Sequence, residues 1–553
     1  MRCIRLRSFA FVSLCGLGLF GPLRGEAAVT LVAAVNGASY VNSSLPNGKL
    51  AQGALFVGFG QGMGPASIVK AQTFPLPTNL AGTSIKVTVG GSTVDCIIFY
   101  TLNVQVAALL PSNTPAGAGT MVLTYNGESS APLSINVTAR SFGIFAINQG
   151  GSGPGVLTDP VTYAANGLTT SANANSQLDI WGTGLGAVAG NEAAGPLPGD
   201  IPGTNVQVWV GSQQAQILYK GRSGCCAGLD QLRIATPQSV VGCYAPVFVV
   251  VDGLVSNFVT MSIAQSGNVC SDPAGNVLTP EQWQTVLASG VYRTGSVAMG
   301  RYITDSPTGT TRADSVTAGF YSLPTASINP GGVGVIPSKG ACSVTQYPVN
   351  IGNVPQTTGL NAGTVSLSGP IGLYPMPTPA FSPVGIYNVA FIPTAPSSSG
   401  VVGGGTVLTT GIYTVAGTGG SGVGPFSVSI DFPGSFDWSN RASISVVTRS
   451  QPLTVTWTGG RAGAFAYIHG RSGVSAGVGA DFYCWADAAD GTFTIPAAVL
   501  SALPPSYVQN SRDTGVLDVY QFDLTGVPFT ATGLDFAWAT WTDGNLKGGI
   551  AYR

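Results

Sequence analysis

Residues 75–90 of this chain are, in outline, written twice. Pro75-Leu76-Pro77, Leu80, Gly82-Thr83, Ile85, Val87, Val89 and Gly90 recur 121 positions downstream as Pro196-Leu197-Pro198, Ile201, Gly203-Thr204, Val206, Val208, Val210 and Gly211. Upstream, Phe59-Gly60-x-Gly62-Met63-Gly64 is matched by Trp181-Gly182-x-Gly184-Leu185-Gly186; downstream, Gln105 and Pro111 are matched by Gln231 and Pro237. A repeat at this interval restricts the first half to two copies of one unit, each long enough to close a core of its own. Inside the repeat, Ile85-Lys86-Val87-Thr88-Val89 and Val206-Gln207-Val208-Trp209-Val210 alternate with period two, so each predicts a strand with one face inward and one outward. Glycine-rich turns on either side, and further short strands such as Thr120–Tyr125 and Val247–Val251, give the spacing of a β-sandwich. Gly60-x-Gly62 is a tight turn rather than a phosphate loop, because no helix follows it and no Lys-Ser/Thr completes the motif. No cofactor is called for.

At 553 residues the chain exceeds what one core can hold. Charged residues make up only 8% while hydrophobic ones reach 44%, so Ser, Thr, Asn, Gln and backbone must wet the surface. The 22 basic and 23 acidic residues show no cationic cluster beyond Arg2, Arg5 and Arg7, which argues against nucleic acid and against an anionic membrane surface as partner. Those three arginines precede an apolar run, Phe9 to Phe20, broken by Gly21-Pro22 and followed by Gly25-Glu26-Ala27, the pattern of an export signal over residues 1–28. The run is too short to cross a bilayer and no second one follows, so no membrane span is expected after its removal.

Export makes disulfides chemically permissible, and seven cysteines follow the leader: Cys96, Cys225, Cys226, Cys243, Cys270, Cys342 and Cys484. Cys225, Cys226, Cys243 and Cys270 lie in one stretch; a bridge between adjacent residues is strained, so two of the three possible pairings remain, and either gives two local staples. Cys342 and Cys484 are left for a long-range bridge, and Cys96, within Cys96-Ile97-Ile98-Phe99-Tyr100, reads as a small buried hydrophobe. The cluster lacks a Cys-x2-Cys pair and a nearby histidine, which excludes a zinc site.

Together Val35-Asn36-Gly37-Ala38-Ser39-Tyr40, the glycine turn at 60–64, Pro75-Leu76-Pro77 with Leu80 and Gly82-Thr83, Gln105, Pro111 and Phe142-Gly143-Ile144-Phe145 resemble the IPT/TIG immunoglobulin-like family, as found in secreted acidobacterial proteins. Ser223-Gly224-Cys225-Cys226-Ala227-Gly228-Leu229-Asp230-Gln231 followed by Gly242-Cys243 resembles the second copy in such proteins. The resemblance covers roughly residues 29–270 and implies a fold without assigning a reaction. The expected fold class is all-β: tandem immunoglobulin-like sandwiches at 29–139 and 140–271, a linker with one short helix at 272–299, a β-rich domain at 300–425 and a C-terminal β-sandwich at 426–553. The helix is expected to start at Thr279-Pro280-Glu281-Gln282, to present Trp283, Val286 and Leu287 on one face, and to end at Gly290. The stretch 396–424, poor in large side chains, is the expected loop or boundary. Pro452–Gly460, Phe482-Tyr483-Cys484 and Phe493–Pro496 resemble a C-terminal module that accompanies these repeats.

Triad-type nucleophilic catalysis needs an imidazole, and His469 is the only one. In Tyr467-Ile468-His469-Gly470-Arg471 it alternates along a strand, which predicts a surface or structural role. Paired-carboxylate hydrolysis of a polysaccharide would draw on Asp481, Asp487, Asp490, Asp518 or Asp535, most of them beside turns where solvated Asp is the default. The expected function is a non-catalytic structural or adhesive surface protein, with carbohydrate binding as the alternative and a polysaccharide hydrolase as the second. Its partner would be a cell-surface glycan or another surface protein. For a glycan, Trp541, Asp543 and Asn545 supply an aromatic face and hydrogen-bonding groups, although Trp538 and Trp541, an odd number apart, must face opposite sides of a strand.

Overall fold

The computed structural model describes residues 28–270, 285–286, 288–306, 309–325, 339–347, 357–380, 382–523 and 526–553. The expected export signal, save its last residue, the expected helix start at Thr279–Trp283 and Leu287 lie outside the described residues; Thr285, Val286, Ala288 and Ser289 are helical, and Gly290, at φ 73°, follows them.

The fold is all-β, beginning with tandem immunoglobulin-like sandwiches. In the first, Thr30–Asn36, Leu55–Gln61, Gln105–Leu109 and Ile97–Leu102 lie side by side in one sheet, and Leu133–Thr138, Gly117–Tyr125 and Thr83–Val89 in the other. Alternation does what the sequence predicts: Ile85, Val87 and Val89 are buried against Met121, Leu123, Val106 and Ile98, while Lys86 points out. The second copy builds its own core from Val208, Val210, Ile180, Leu232, Val247 and Val249. Thr83–Val89 and Val206–Val210 are therefore equivalent strands in separate units.

The copies differ at one corner. In the first, Ser92–Asp95 pairs with Thr83–Val89, the chain breaks at the buried Cys96, and Ile97–Leu102 joins the opposite sheet. In the second, one strand, Gln213–Arg222, does both, pairing with Val206–Val210 and then, through a bulge between Ile217 and Tyr219, with Asp230–Ala235. The longer strand delivers Arg222 to the junction between the sandwiches, and the loop carrying Cys225 and Cys226 follows it.

The junction itself is dry and polar. Arg222 is 2% exposed; it donates to Asp230 Oδ1 at 2.6 Å, to the Gly186 carbonyl at 3.1 Å and, across the junction, to the Gly53 carbonyl. Asn36 Nδ2 of the first sandwich donates to the carbonyls of Ser141 and Thr183, and the Leu55 amide donates to Thr183 Oγ1. Glu192 accepts from the amide and hydroxyl of Ser112.

Residues 291–553 correct the expected division at 425/426. Val291–Ser306 forms a hairpin with Gly309–Pro324 and, on its other edge, pairs in parallel with Phe536–Tyr552. A twelve-stranded sheet thus draws strands from both sides of the proposed boundary, in the order Cys342–Tyr347, Val478–Asp487, Phe465–Ser475, Gly515–Phe522, Phe536–Tyr552, Val291–Ser306, Gly309–Pro324 and Ile386–Phe391, with short pieces beyond. A four-stranded sheet (Gly372–Met376, Val365–Gly369, Gly411–Gly417, Phe426–Phe432) and a three-stranded one (Asp437–Trp438, Leu453–Thr458, Thr492–Ile495) share its core. The stretch 396–424 is no boundary either: its Gly411–Gly417 is an internal strand whose Tyr413 and Val415 are fully buried. The expected linker at 272–299 runs into the first strand of this unit.

The second sandwich leans on the third unit through aromatic side chains. Trp209 stacks on Phe248 and Phe248 on Phe258, with centroids 6.1 and 4.4 Å apart, and Phe248 and Phe258 belong to the third unit's core.

Cys342 and Cys484 face each other across neighbouring antiparallel strands and are bonded. Cys243 is bonded to Cys270, while Cys225 and Cys226 are free and exposed; each of the two expected pairings joined Cys243 and Cys270 to Cys225 and Cys226, so both expected local staples are corrected. With Cys243 and Cys270 satisfying each other at the far end of the second sandwich, the 225–226 loop at the junction has no cysteine outside itself left to meet. Cys96 is wholly buried, as expected.

Candidate functional site

The outward face of the twelve-stranded sheet carries a band of aromatic and charged side chains. On Phe465–Ser475 the outward positions are Phe465, Tyr467, His469 and Arg471; opposite them on Val478–Asp487 stand Asp487, Trp485, Tyr483 and Asp481, and on Gly515–Phe522 stand Phe522, Tyr520, Asp518 and Val516. The intervening Ala466, Ile468, Phe482, Cys484, Leu517 and Val519 are buried in the core, so period two alone divides the faces. Tyr467 lies at the centre, with ring centroids 4.5 Å from Trp485, 4.7 Å from Tyr520 and 5.7 Å from Tyr483. The next strand places Gly544 beside Tyr520, where a Cβ would lie 2.0 Å from that tyrosine's own Cβ. Glycine is what lets the aromatic row continue toward Tyr302 on Val291–Ser306.

At one end of the band His469 sits between two carboxylates. Its Nε2 donates to Asp481 Oδ1 at 2.9 Å and its Nδ1 to Asp518 Oδ2 at 3.0 Å, and its ring stacks on Tyr483 at 5.1 Å. Both nitrogens can donate only as imidazolium. Burial disfavours that charge, but the hydrogen bonds and charges of Asp481 and Asp518 outweigh it and push the imidazole up to about 9. Burial likewise works against ionised Asp481, yet His469 and Arg471 hold its carboxyl below the usual range. Arg471, half-exposed, donates to Asp481 at 2.8 Å and lies 4.9 Å over the Tyr347 ring. Two polar atoms in this band are buried without a partner, Trp485 Nε1 and Asp518 Oδ1.

The acids named from the sequence divide accordingly. Asp481 and Asp518 meet at His469, Asp487 pairs with Lys339, Asp535 accepts from the Arg293 amide, and Asp490 closes a short helical turn before Gly491. A general acid needs a raised carboxyl, and Asp481 is shifted the other way.

The expected glycan contacts are corrected. Trp541, Asp543 and Asn545 are 4%, 2% and 0% exposed and point into the core. Asp543 takes a two-pronged contact from Arg301, its neighbour in register, and accepts from the Phe436 amide; Asn545 Oδ1 accepts from the Trp438 amide. Opposite parity for the two tryptophans was right, but Trp541 is the inner one and the half-buried Trp538 lies on the outer face. The residues the sequence reading missed, Tyr467, Tyr483, Trp485, Tyr520 and Phe522, carried a usable signal: aromatics two apart on each of three strands. Among the described residues no group of three or more His, Cys, Asp or Glu is arranged to hold a metal ion, and no helix is long and apolar enough to cross a membrane.

The described residues also enclose concavities away from the centre of the band. A cleft of about 680 Å³ opens between the first two sandwiches, walled by Tyr40, Phe99, Tyr100, Phe145 and Trp181, with Cys225 at its edge. A smaller one of about 230 Å³ takes residues from all three units, including Tyr40, Asn257 and Tyr347.

No family model matches this chain. No curated protein matches it either. Solved structures with similar stretches include domains 5–6 of the S-layer protein SbsC (12% identity, 43% of this chain and 99% of that one, TM-score 0.15). They also include domains A168–A170 of titin (11%, 68% and 91%, TM-score 0.14) and the mixed-linkage glucan utilisation protein SGBP-B of Bacteroides ovatus in complex with a heptasaccharide (7%, 83% and 93%, TM-score 0.12). Likenesses this weak say nothing of what this chain binds; its fold is read from its own strand pairing.

Proposed function

We propose that this chain is an exported, non-catalytic protein of the cell surface, with a structural or adhesive role: a stack of β modules held in fixed order. The supporting observation is the junction between the first two sandwiches, where Arg222 spans the boundary from a fully buried position and Asn36 and Thr183 add direct bonds. A chain that had to bend there would have a solvated linker, because breaking buried charge-assisted bonds costs several kcal/mol. The two disulfides suit an oxidising compartment. Non-catalysis is supported by the one imidazole being committed at both nitrogens and by the direction of the Asp481 shift. Antibodies to the chain should label intact cells of its source organism, and deleting its gene should reduce attachment or aggregation of those cells. Polysaccharide hydrolysis by the purified chain, abolished by Asp481→Asn, would defeat the proposal.

The aromatic band favours one second reading, recognition of a glycan. Sugar rings stack on aromatic faces while Arg and Asp bind hydroxyls, and Tyr483, Tyr347 and the exposed Arg471 lie together at one end of the band. On a glycan array, a specific hit should weaken roughly tenfold with Tyr483→Ala, the loss of one stacked ring. An empty array would remove this reading and leave the scaffold untouched.

A further inference from the structure

The four bonded cysteines leave Cys225 and Cys226 side by side in the loop 223–229, and the seventh, Cys96, is sealed in the first core. The loop is held by its own bonds: the Ser223 amide donates to the Leu229 carbonyl at 2.9 Å, the Leu229 amide to the Cys226 carbonyl at 3.3 Å, and Thr183 Oγ1 to the Gly228 carbonyl at 2.8 Å. Gly228, at φ 72°, leaves no room for a side chain: a Cβ there would lie 2.4 Å from Leu109 Cδ1 and 2.9 Å from Leu55 Cδ2 of the first sandwich. Both thiols thus stay exposed at a fixed place, and Cys225 forms part of the cleft between the sandwiches.

We propose that Cys225 and Cys226 are a dithiol–disulfide couple, a modification site at which an external disulfide of the glutathione type closes a bridge between adjacent residues. Cys225 Sγ, as thiolate, attacks one sulfur of the external disulfide; that S–S bond breaks and one carrier thiolate leaves. Cys226 Sγ then gives up its proton and attacks Cys225 Sγ, releasing the second carrier thiolate. The protein loses two electrons and two protons, and the carrier gains both as two thiols. The order follows from the surroundings. Cys225 lines the cleft through which an external disulfide approaches, and Ser223 Oγ holds its sulfur at 3.3 Å; Cys226 stands outside that lining, its thiol pushed up to about 12 by partial burial and by its neighbour Cys225. Consecutive Cα atoms stand about 3.8 Å apart, below the usual span of a disulfide of about 4.4 Å or more, so the bridge is strained and its potential lies on the oxidising side. It opens under conditions that leave Cys243–Cys270 and Cys342–Cys484 intact.

The test is a redox titration of the secreted full chain in oxidised and reduced glutathione, with iodoacetamide trapping, trypsin digestion and mass measurement of the peptide Ser223–Arg233. Under oxidising conditions this peptide should be unalkylated and two hydrogens lighter; under mild reduction it should carry two alkyl groups, while both structural bridges persist. Cys226→Ser should trap a glutathione adduct on Cys225. Alkylation of both thiols at every poise, a lasting adduct on the unmodified chain, or disulfide-linked dimers on a non-reducing gel would each overturn the proposal.

Discussion

His469 shows how one side chain can be worth more than its position on a sheet surface suggests. Both flanking carboxylates are largely buried, with side-chain exposures of 7% and 8%, so a neutral replacement leaves two acids facing each other in a dry site. The folded imidazole titrates at about 9, above its unfolded value near ~6.5. Its stabilisation is therefore complete below about pH 6.5 and is lost as pH rises through about 9. The depressed Asp481 works in the opposite sense, contributing above about pH 4 and losing its contribution as pH falls through its lowered value. His469→Gln should cost on the order of 3 kcal/mol near pH 6 in urea unfolding, and the gap to the unsubstituted chain should close above pH 9. An equal gap at pH 6 and pH 10 would mean that packing, not charge, holds the trio.

At the scale of a strand, parity decides what each residue can do. Along Phe536–Tyr552, Trp538, Thr540 and Thr542 face out while Trp541, Asp543 and Asn545 face in. Trp541→Ala should therefore open a core cavity and cost about 3–5 kcal/mol, whereas Trp538→Ala, on the half-buried face, should cost clearly less; thermal melts of the two variants measure the difference. Such alternation was legible in the sequence, as were the repeated strands near Thr83 and Thr204, because both are local patterns. Which of two alternating faces becomes the core was not, since it depends on partners: Asp543 is inside only because Arg301 meets it across a strand pair spanning 242 residues. The aromatics two apart on each strand were legible too, but their assembly into one band was not. Tyr467, Trp485 and Tyr520 become neighbours through pairing order, which no local period encodes. The Cys342–Cys484 bridge was read correctly, but pairing within the 225–270 cluster failed, because sequence proximity of four thiols was read as spatial proximity.

Over the whole molecule, buried polar bonds join the first two sandwiches, and stacked aromatic side chains join the second to the third unit. Arg222→Ala would leave Asp230 without its cation and the Gly53 carbonyl without its donor, both in a dry boundary. The variant should lose about 3–5 kcal/mol, and in calorimetry the first two sandwiches should melt as separate transitions rather than together. Unchanged joint melting would show that apolar contact alone couples them. The parallel pairing of Val291–Ser306 with Phe536–Tyr552 bears on biogenesis. Each sandwich can complete itself from contiguous chain during synthesis, but the hairpin of Val291–Ser306 and Gly309–Pro324 must wait for a far later strand. Until that strand arrives, a sixteen-residue strand keeps one hydrogen-bonding edge bare. Such an edge is the natural target for a holding chaperone, and for self-association wherever synthesis of the later strand is delayed.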